Sequence, residues 1–153
     1  MLDINVYHVA VLMRLLFPHL QNRDKKLMEE GRGSIKSGII VTSSIAPQFS
    51  VGAATQYSSS KVFCDFLGEA ISYELDKSSS RVEITTLCPG PVDTNMAASF
   101  KGSSLMVTPQ KCVYKALKDL GREAQTNGAM SHEILAYLGR VIMLHWCTLG
   151  FRS

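Results

Sequence analysis

Two short apolar runs on either side of one long amphipathic segment constrain the fold most. Gly38-Ile39-Ile40-Val41-Thr42-Ser43-Ser44 is a continuous, β-branched run, and it reads as a buried strand. Arg81-Val82-Glu83-Ile84-Thr85-Thr86-Leu87 is a second, more alternating strand, cut short by Cys88-Pro89-Gly90-Pro91. Between them, residues 57–77 place Val62, Phe63, Phe66, Leu67, Ala70, Ile71 and Leu75 at helical spacing. Strands that alternate with helices pair in parallel, because a parallel pair needs a long crossover. The expected class is α/β, with a parallel sheet.

The flanking segments extend the pattern. Residues 3–20 read as a helix that is apolar nearly all round, with Val9, Leu12, Met13, Leu16 and Leu20 on one stripe. Pro18 is expected to kink or end it, leaving 21–37 as a polar loop with a short helical piece around Lys25 to Glu30. Thr108-Pro109 opens a further helix that Gly121 stops. Thr126-Asn127-Gly128 reads as a turn, and residues 129–149 as a short strand followed by an apolar helix. Helix, strand, helix, strand, helix is one domain of 153 residues, but two strands are too few for a complete doubly wound sheet.

Composition removes several classes. A net charge of +3 without a Lys/Arg stripe gives no case for nucleic acid. Cys64, Cys88, Cys112 and Cys147 form no CxxC pair and stand at no zinc-ligand spacing, so free thiols and no metal are expected. Leu2 to Leu20 is broken by Asp3, Asn5, His8, Arg14 and His19, and it lacks a basic leader and a cleavage site, so secretion is not expected. No uncharged apolar run is long enough to cross a bilayer.

The chemistry gathers around Tyr57-Ser58-Ser59-Ser60-Lys61. Positions i and i+4 share a helix face, so the phenol and the ammonium point the same way. A neighbouring cation favours a phenolate, and such a phenol can trade protons near neutral pH. Ser44 stands at the carboxyl end of a strand, where open α/β sheets bind ligands; Ser43 could fill the same role. Each residue also has a plainer reading. Tyr57 suits a helix start and Lys61 a solvated face, while Ser44, Asn5 and Thr94 suit caps. His132 and His145 read as surface or boundary residues, and the helix Met and aromatic residues as core.

Taken together, the spacings resemble the short-chain dehydrogenase/reductase family. The likeness is to its C-terminal catalytic half, in the branch of very-long-chain 3-oxoacyl-CoA reductases and 17β-hydroxysteroid dehydrogenases. Tyr57 to Lys61 fits Y-x-x-x-K, Ser44 lies 13 residues before Tyr57, and Pro89-Gly90-Pro91-Val92-Asp93-Thr94 fits P-G-x-x-x-T. Asn5 opens the first helix, and the Thr126-Asn127-Gly128 turn resembles the same branch.

The resemblance implies hydride transfer between NADP(H) or NAD(H) and a lipophilic substrate, a 3-oxoacyl-CoA or steroid. It implies Tyr57 as the general acid, Lys61 as its charge partner and ribose ligand, and Ser44 as the donor to the substrate oxygen. Asn5 would hold a relay water. Thr94 and the backbone of Val92 would hold the nicotinamide carboxamide, beside a Pro89-Gly90 turn that lets backbone approach the cofactor. It further implies a homodimer through helices 3–20 and 57–77, and an endoplasmic reticulum membrane or cytoplasmic setting. Residues 1–128 would be the catalytic half, and the apolar tail 129–153, with Trp146, a substrate, interface or peripheral membrane element.

The chain departs from the family in one large respect. The early strands and the Gly-rich turn that seats the pyrophosphate are not recognisable, and Gly31-Arg32-Gly33 is not such a turn. The expected fold is therefore part of a Rossmann-like doubly wound sheet. Activity is expected only when an N-terminal half, in the same or a partner chain, completes it. Without that half, the Gly38–Ser43 strand would show an unpaired edge, and a lone monomer is expected to be unstable. The alternative is a non-catalytic interaction subunit that keeps the fold.

Overall fold

The computed structural model describes residues 2–48, 54–78 and 80–150, with side chains described as far as residue 142. The expected functions of His145 and Trp146 therefore lie outside the described side chains. β1 (Gly38–Thr42) pairs in parallel with β2 (Glu83–Leu87), in a register that sets Ile39 beside Ile84 and Val41 beside Thr86. β2 pairs on its other side with a short β3 (Gln125–Thr126), also in parallel. The order is β1-β2-β3, so among the described residues β1 has a ladder on one side only. The α/β class with a parallel sheet holds.

Alternation along the strands divides the core into two layers. Ile39, Val41 and Ile84 face one side, with Met13, Cys64, Leu67 and Leu75 of the helices that cover it. Ile40 and Leu87 face the other, with Cys112, Ala116 and Ala129. The first side is covered by α1 (His8–Glu29) and α2 (Thr55–Lys77), the second by α3 (Pro109–Asp119). α2 can lie close to the sheet because of Gly68: a Cβ built there would collide with Thr86 Oγ1 and come within 3.8 Å of Val41 Cβ. α3 is punctuated as its residues predict. The Thr108 hydroxyl accepts from the Lys111 N–H, Pro109 is the first helical residue, and Gly121 follows the helix with φ +74°.

Two expectations change. Residues 21–29 are not a loop, since α1 runs unbroken through Pro18 to Glu29. Arg14, whose carbonyl loses its helical partner to the proline, is exposed like Pro18 itself, so water can satisfy it. The helix persists because its buried stripe, from Met13, continues past the half-buried Leu20 to Asp24 and Leu27. Asp24 is 1% exposed, and its carboxylate accepts from the Ser37 N–H at 3.1 and 3.0 Å and from Ser37 Oγ at 2.6 Å. The second change is at the C-terminal side. The short strand lies at Gln125–Thr126 instead of after the turn, and α4 (Met130–Gly150) follows directly. Thr126 earns its strand position by receiving the Cys88 N–H at 2.7 Å and by bonding Asp119 Oδ2 at 2.5 Å.

The aromatic residues of α2 are also less buried than expected. Phe66 is 73% and Tyr73 60% exposed, and Leu15 and Leu16 of α1 are exposed too.

Candidate active site

The strand ends build the floor of the site. Beyond the formal ladder, Ser43 N–H bonds Leu87 O at 2.8 Å and Ile45 N–H bonds Pro89 O at 3.0 Å. These bonds hold Ser44 beside the Cys88-Pro89 step, at the carboxyl edge of the sheet, where such folds bind ligands. The choice between the two serines follows from their partners. Ser43 Oγ donates to Lys61 O at 2.9 Å, so it serves to dock α2. Ser44 Oγ only accepts, from Ala46 N–H at 3.1 Å, which leaves its own hydrogen uncommitted among the described residues.

α2 starts at Thr55, so Tyr57 lies in its first turn and Lys61 one turn later on the same face. Lys61 Nζ donates to Thr42 O at 3.0 Å, at the very end of β1, and sits 5.9 Å from the centroid of the Tyr57 ring. The ammonium thus lies over the face of the Tyr57 ring while bonded to the strand end that leads to Ser44. Both Tyr57 and Lys61 are half-buried.

Asn5 comes to the same place from the far end of the chain. It sits in a single π-helical turn, Asp3–Tyr7, that leads into α1. Such turns displace the backbone from the regular ladder and are frequent at functional sites. Asn5 Nδ2 donates to Ser60 Oγ at 3.1 Å, and Ser60 Oγ donates to Tyr57 O at 2.7 Å. Asn5 O accepts from Cys64 Sγ at 3.0 Å. Burial pushes the Cys64 thiol up, against the pull of the Lys61 charge, which suits a donor better than a nucleophile. Ser60, 1% exposed, is the link the residue pattern hides: in a run of three serines nothing marks the one that turns inward.

The remaining predicted residues lie along the next segment. Pro89, whose carbonyl accepts from Ile45 N–H, borders Ser44, and Val92 forms an isolated parallel bridge with Val107. Thr94 is exposed, and its hydroxyl donates to Val92 O at 3.2 Å, ahead of a short helix at Asn95–Phe100. No described contact brings Thr94 to Tyr57 or Lys61. His132 corrects the expectation of a surface or boundary residue: it is fully buried, against Gly90. Deeper in, Cys88 Sγ donates to Asp65 Oδ1 at 3.1 Å, and burial followed by the Asp65 charge pushes this thiol far up.

Residues 1–104 match the family model described as short chain dehydrogenase. The chain is 27% identical over 138 residues to very-long-chain 3-oxoacyl-CoA reductase-B of Danio rerio, covering 90% of this chain and 40% of that protein. It is 27% identical over 135 residues to the very-long-chain 3-oxoacyl-CoA reductase of Homo sapiens, covering 88% and 39%. The chain therefore spans about two fifths of the length of these relatives. Among solved structures, a 7β-hydroxysteroid dehydrogenase superposes with TM-score 0.72 at 20% identity, over 90% of this chain and 50% of that one. A short chain dehydrogenase from Burkholderia cenocepacia in complex with NADP gives 0.69 at 22%, over 96% and 56%.

Proposed function

The chain belongs to the short-chain dehydrogenase family, and on that premise we propose that it carries the proton-transfer side of a nicotinamide-dependent oxidoreductase site. The substrate class is a lipophilic carbonyl or alcohol, with a 3-oxoacyl-CoA favoured by the names of the relatives. The observation that carries the reading is the convergence on one strand end: Lys61 bonded to Thr42 O, the Tyr57 ring beside that ammonium, and Ser44 two residues on with an uncommitted hydrogen.

The donor set fits the nicotinamide-ribose end of NADP(H) or NAD(H). Lys61 has three N–H donors and spends one on Thr42, so two remain for ribose hydroxyls. Val92 and Thr94 would face the carboxamide, alongside the Pro89-Gly90 backbone. The nicotinamide, when bound, supplies or accepts the hydride. Tyr57 gives its phenolic proton to the carbonyl oxygen in reduction and takes it back in oxidation. The Lys61 ammonium keeps positive charge beside the oxygen that loses the proton. Ser44 donates to the substrate oxygen and fixes its distance from the phenol. Asn5 holds the first turn of α2 through Ser60, and its Oδ1, without a partner among the described residues, is placed to hold a relay water.

A homodimer through α1 and α2 is supported by the apolar residues those helices leave exposed, among them Leu12, Leu15, Leu16, Val62 and Phe66. A peripheral membrane contact is supported by the exposed Ile134, Leu138, Val141 and Ile142 of α4. Among the described residues, no helix is long and apolar enough to cross a membrane.

The test is oxidation of NADPH and of NADH by the protein at its natural length, with a 3-oxoacyl-CoA and with a ketosteroid. Tyr57→Phe should lower kcat by about 10²–10⁴-fold. Turnover that survives this substitution overturns the mechanism.

A further inference from the structure

We propose that His132 is a positioning residue that clamps the turn leading to Val92 and Thr94 against the loop that follows Asn95–Phe100; the inference rests on the oxidoreductase reading above. His132 is 0% exposed at the start of α4. Among the described residues its ring nitrogens face carbonyl oxygens alone. Nδ1 lies 3.2 Å from Asn127 O, while Nε2 lies 3.2 Å from Pro91 O and 3.1 Å from Leu105 O. Carbonyls accept and never donate, and a neutral imidazole has one N–H. Two of the three acceptors face Nε2, which assigns the proton there, shared between Pro91 and Leu105.

Those two carbonyls come from two segments that also bond each other. Pro91 belongs to the turn after β2 that leads to Val92 and Thr94, and Leu105 to the loop that follows Asn95–Phe100. The same two segments touch directly. Asp93 N–H bonds Val107 O at 2.9 Å, and Val107 N–H bonds Pro91 O at 3.1 Å. Pro91 O therefore takes one bond from the loop and one from His132. The ring also explains Gly90. A Cβ there would lie 2.7 Å from His132 Cδ2 and 3.0 Å from Nε2, so the glycine makes room for the imidazole. His132 presses on the turn and bonds it at once, without reaching the reacting atoms.

Two substitutions separate this role from simple filling of space. A glutamine amide can reach where Nε2 stands, whereas an asparagine amide reaches only where Nδ1 stands. In the natural-length protein, His132→Asn should raise the KM for the nicotinamide dinucleotide about tenfold with kcat changed less than about threefold, the mark of lost ground-state binding. His132→Gln should restore KM to within about threefold of the unaltered protein. Equal KM values for the two variants would overturn the clamp.

Two measurements need no turnover. Hydrogen exchange at the Asp93 and Val107 amides should speed about tenfold in His132→Asn, while the Thr86 and Cys88 amides of the β2–β3 ladder keep their protection. Unchanged exchange at Asp93 and Val107 would refute the proposal. In the unaltered protein, ¹⁵N spectra of labelled histidine should show a protonated Nε2 on His132; a bare Nε2 refutes it even where the asparagine variant fails to fold. A protein without nicotinamide-dependent turnover would overturn the function proposed above, and the exchange and imidazole measurements would still decide the clamp.

Discussion

Replacing Gly68 by alanine tests how closely the catalytic helix must approach the sheet. Taken alone, alanine should help, because glycine inside a helix is about 1 kcal/mol worse. The added methyl, however, falls on Thr86 Oγ1, and Thr86 is 2% exposed and stiff at its β-branched χ1. Either Thr86 leaves its rotamer or α2 lifts from the sheet, which places the strain in the upper part of the roughly 1–3 kcal/mol range for overpacking. The net expectation for Gly68→Ala is a loss of about 1–2 kcal/mol, seen as a lower urea midpoint at unchanged slope.

Thr86→Ala removes the clash. The new Cβ would then meet Thr86 Cβ at 3.5 Å and Val41 Cβ at 3.8 Å, ordinary contacts. The Thr86 hydroxyl it deletes is buried and has no partner among the described residues, so the deletion strands nothing. A double-mutant cycle on the natural-length protein should therefore show a favourable coupling of about 2–3 kcal/mol, the whole of the relieved strain, since the helix-propensity gain cancels in the cycle. Because α2 carries Tyr57 and Lys61, kcat should fall in Gly68→Ala and recover in the double variant. A Gly68→Ala protein at least as stable as the original, or strictly additive effects, would refute the close-approach argument.

Two serines side by side should separate by phenotype. Ser44→Ala should lower kcat by about 10²-fold with little change in stability, as for loss of one donor to a developing oxyanion. Ser43→Ala should mainly lower the melting temperature, since Ser43 Oγ bonds the Lys61 carbonyl. The reverse pattern in paired kinetic and melting measurements would exchange their roles. Asp119 sets an acid-side dependence. Burial works against its charge, but hydrogen bonds from Lys115 and Thr126 and the charges of Lys115 and Lys118 outweigh it and hold the carboxyl below its ordinary value. A depressed folded value adds stability that is full above the unfolded value of about 3.9 and is lost as pH falls through the folded one. Asp119→Asn should thus be less stable at pH near 6, with the gap closing towards pH near 2 in denaturation curves. A gap that does not depend on pH would count against this carboxylate.

Where an element's residues state its own chemistry, the pattern was readable without coordinates. The apolar run at Gly38–Thr42 and the Thr108-Pro109 cap both fold as their residues suggest. The Tyr57 and Lys61 spacing was readable for the same reason, since helix geometry is local. Asp24 was not. Pro18 signals an early helix end, and nothing local shows that the Asp24 carboxylate is buried against the Ser37 backbone that it serves. His132 failed likewise, because its three carbonyl partners come from Asn127, Pro91 and Leu105, and no spacing rule joins them. The choice between Ser43 and Ser44 needed the partner of each hydroxyl. Local pattern therefore identified which residues carry chemistry, while the residues that hold them in place needed the tertiary contacts.

The parallel pairing of β1 with β2 also constrains the order of folding. Val41 meets Thr86 only after all of α2 has been made and laid back across both strands. The chain must close that long loop before a single strand–strand bond rewards it, the situation in which topology slows folding. β3 waits in turn for β2, across α3. During that interval the Ile39-Ile40-Val41 segment lacks its β2 ladder, so a nascent chain is exposed at the strand that later leads to Ser44. The part of the molecule that bears the chemistry is thus the part that synthesis must protect.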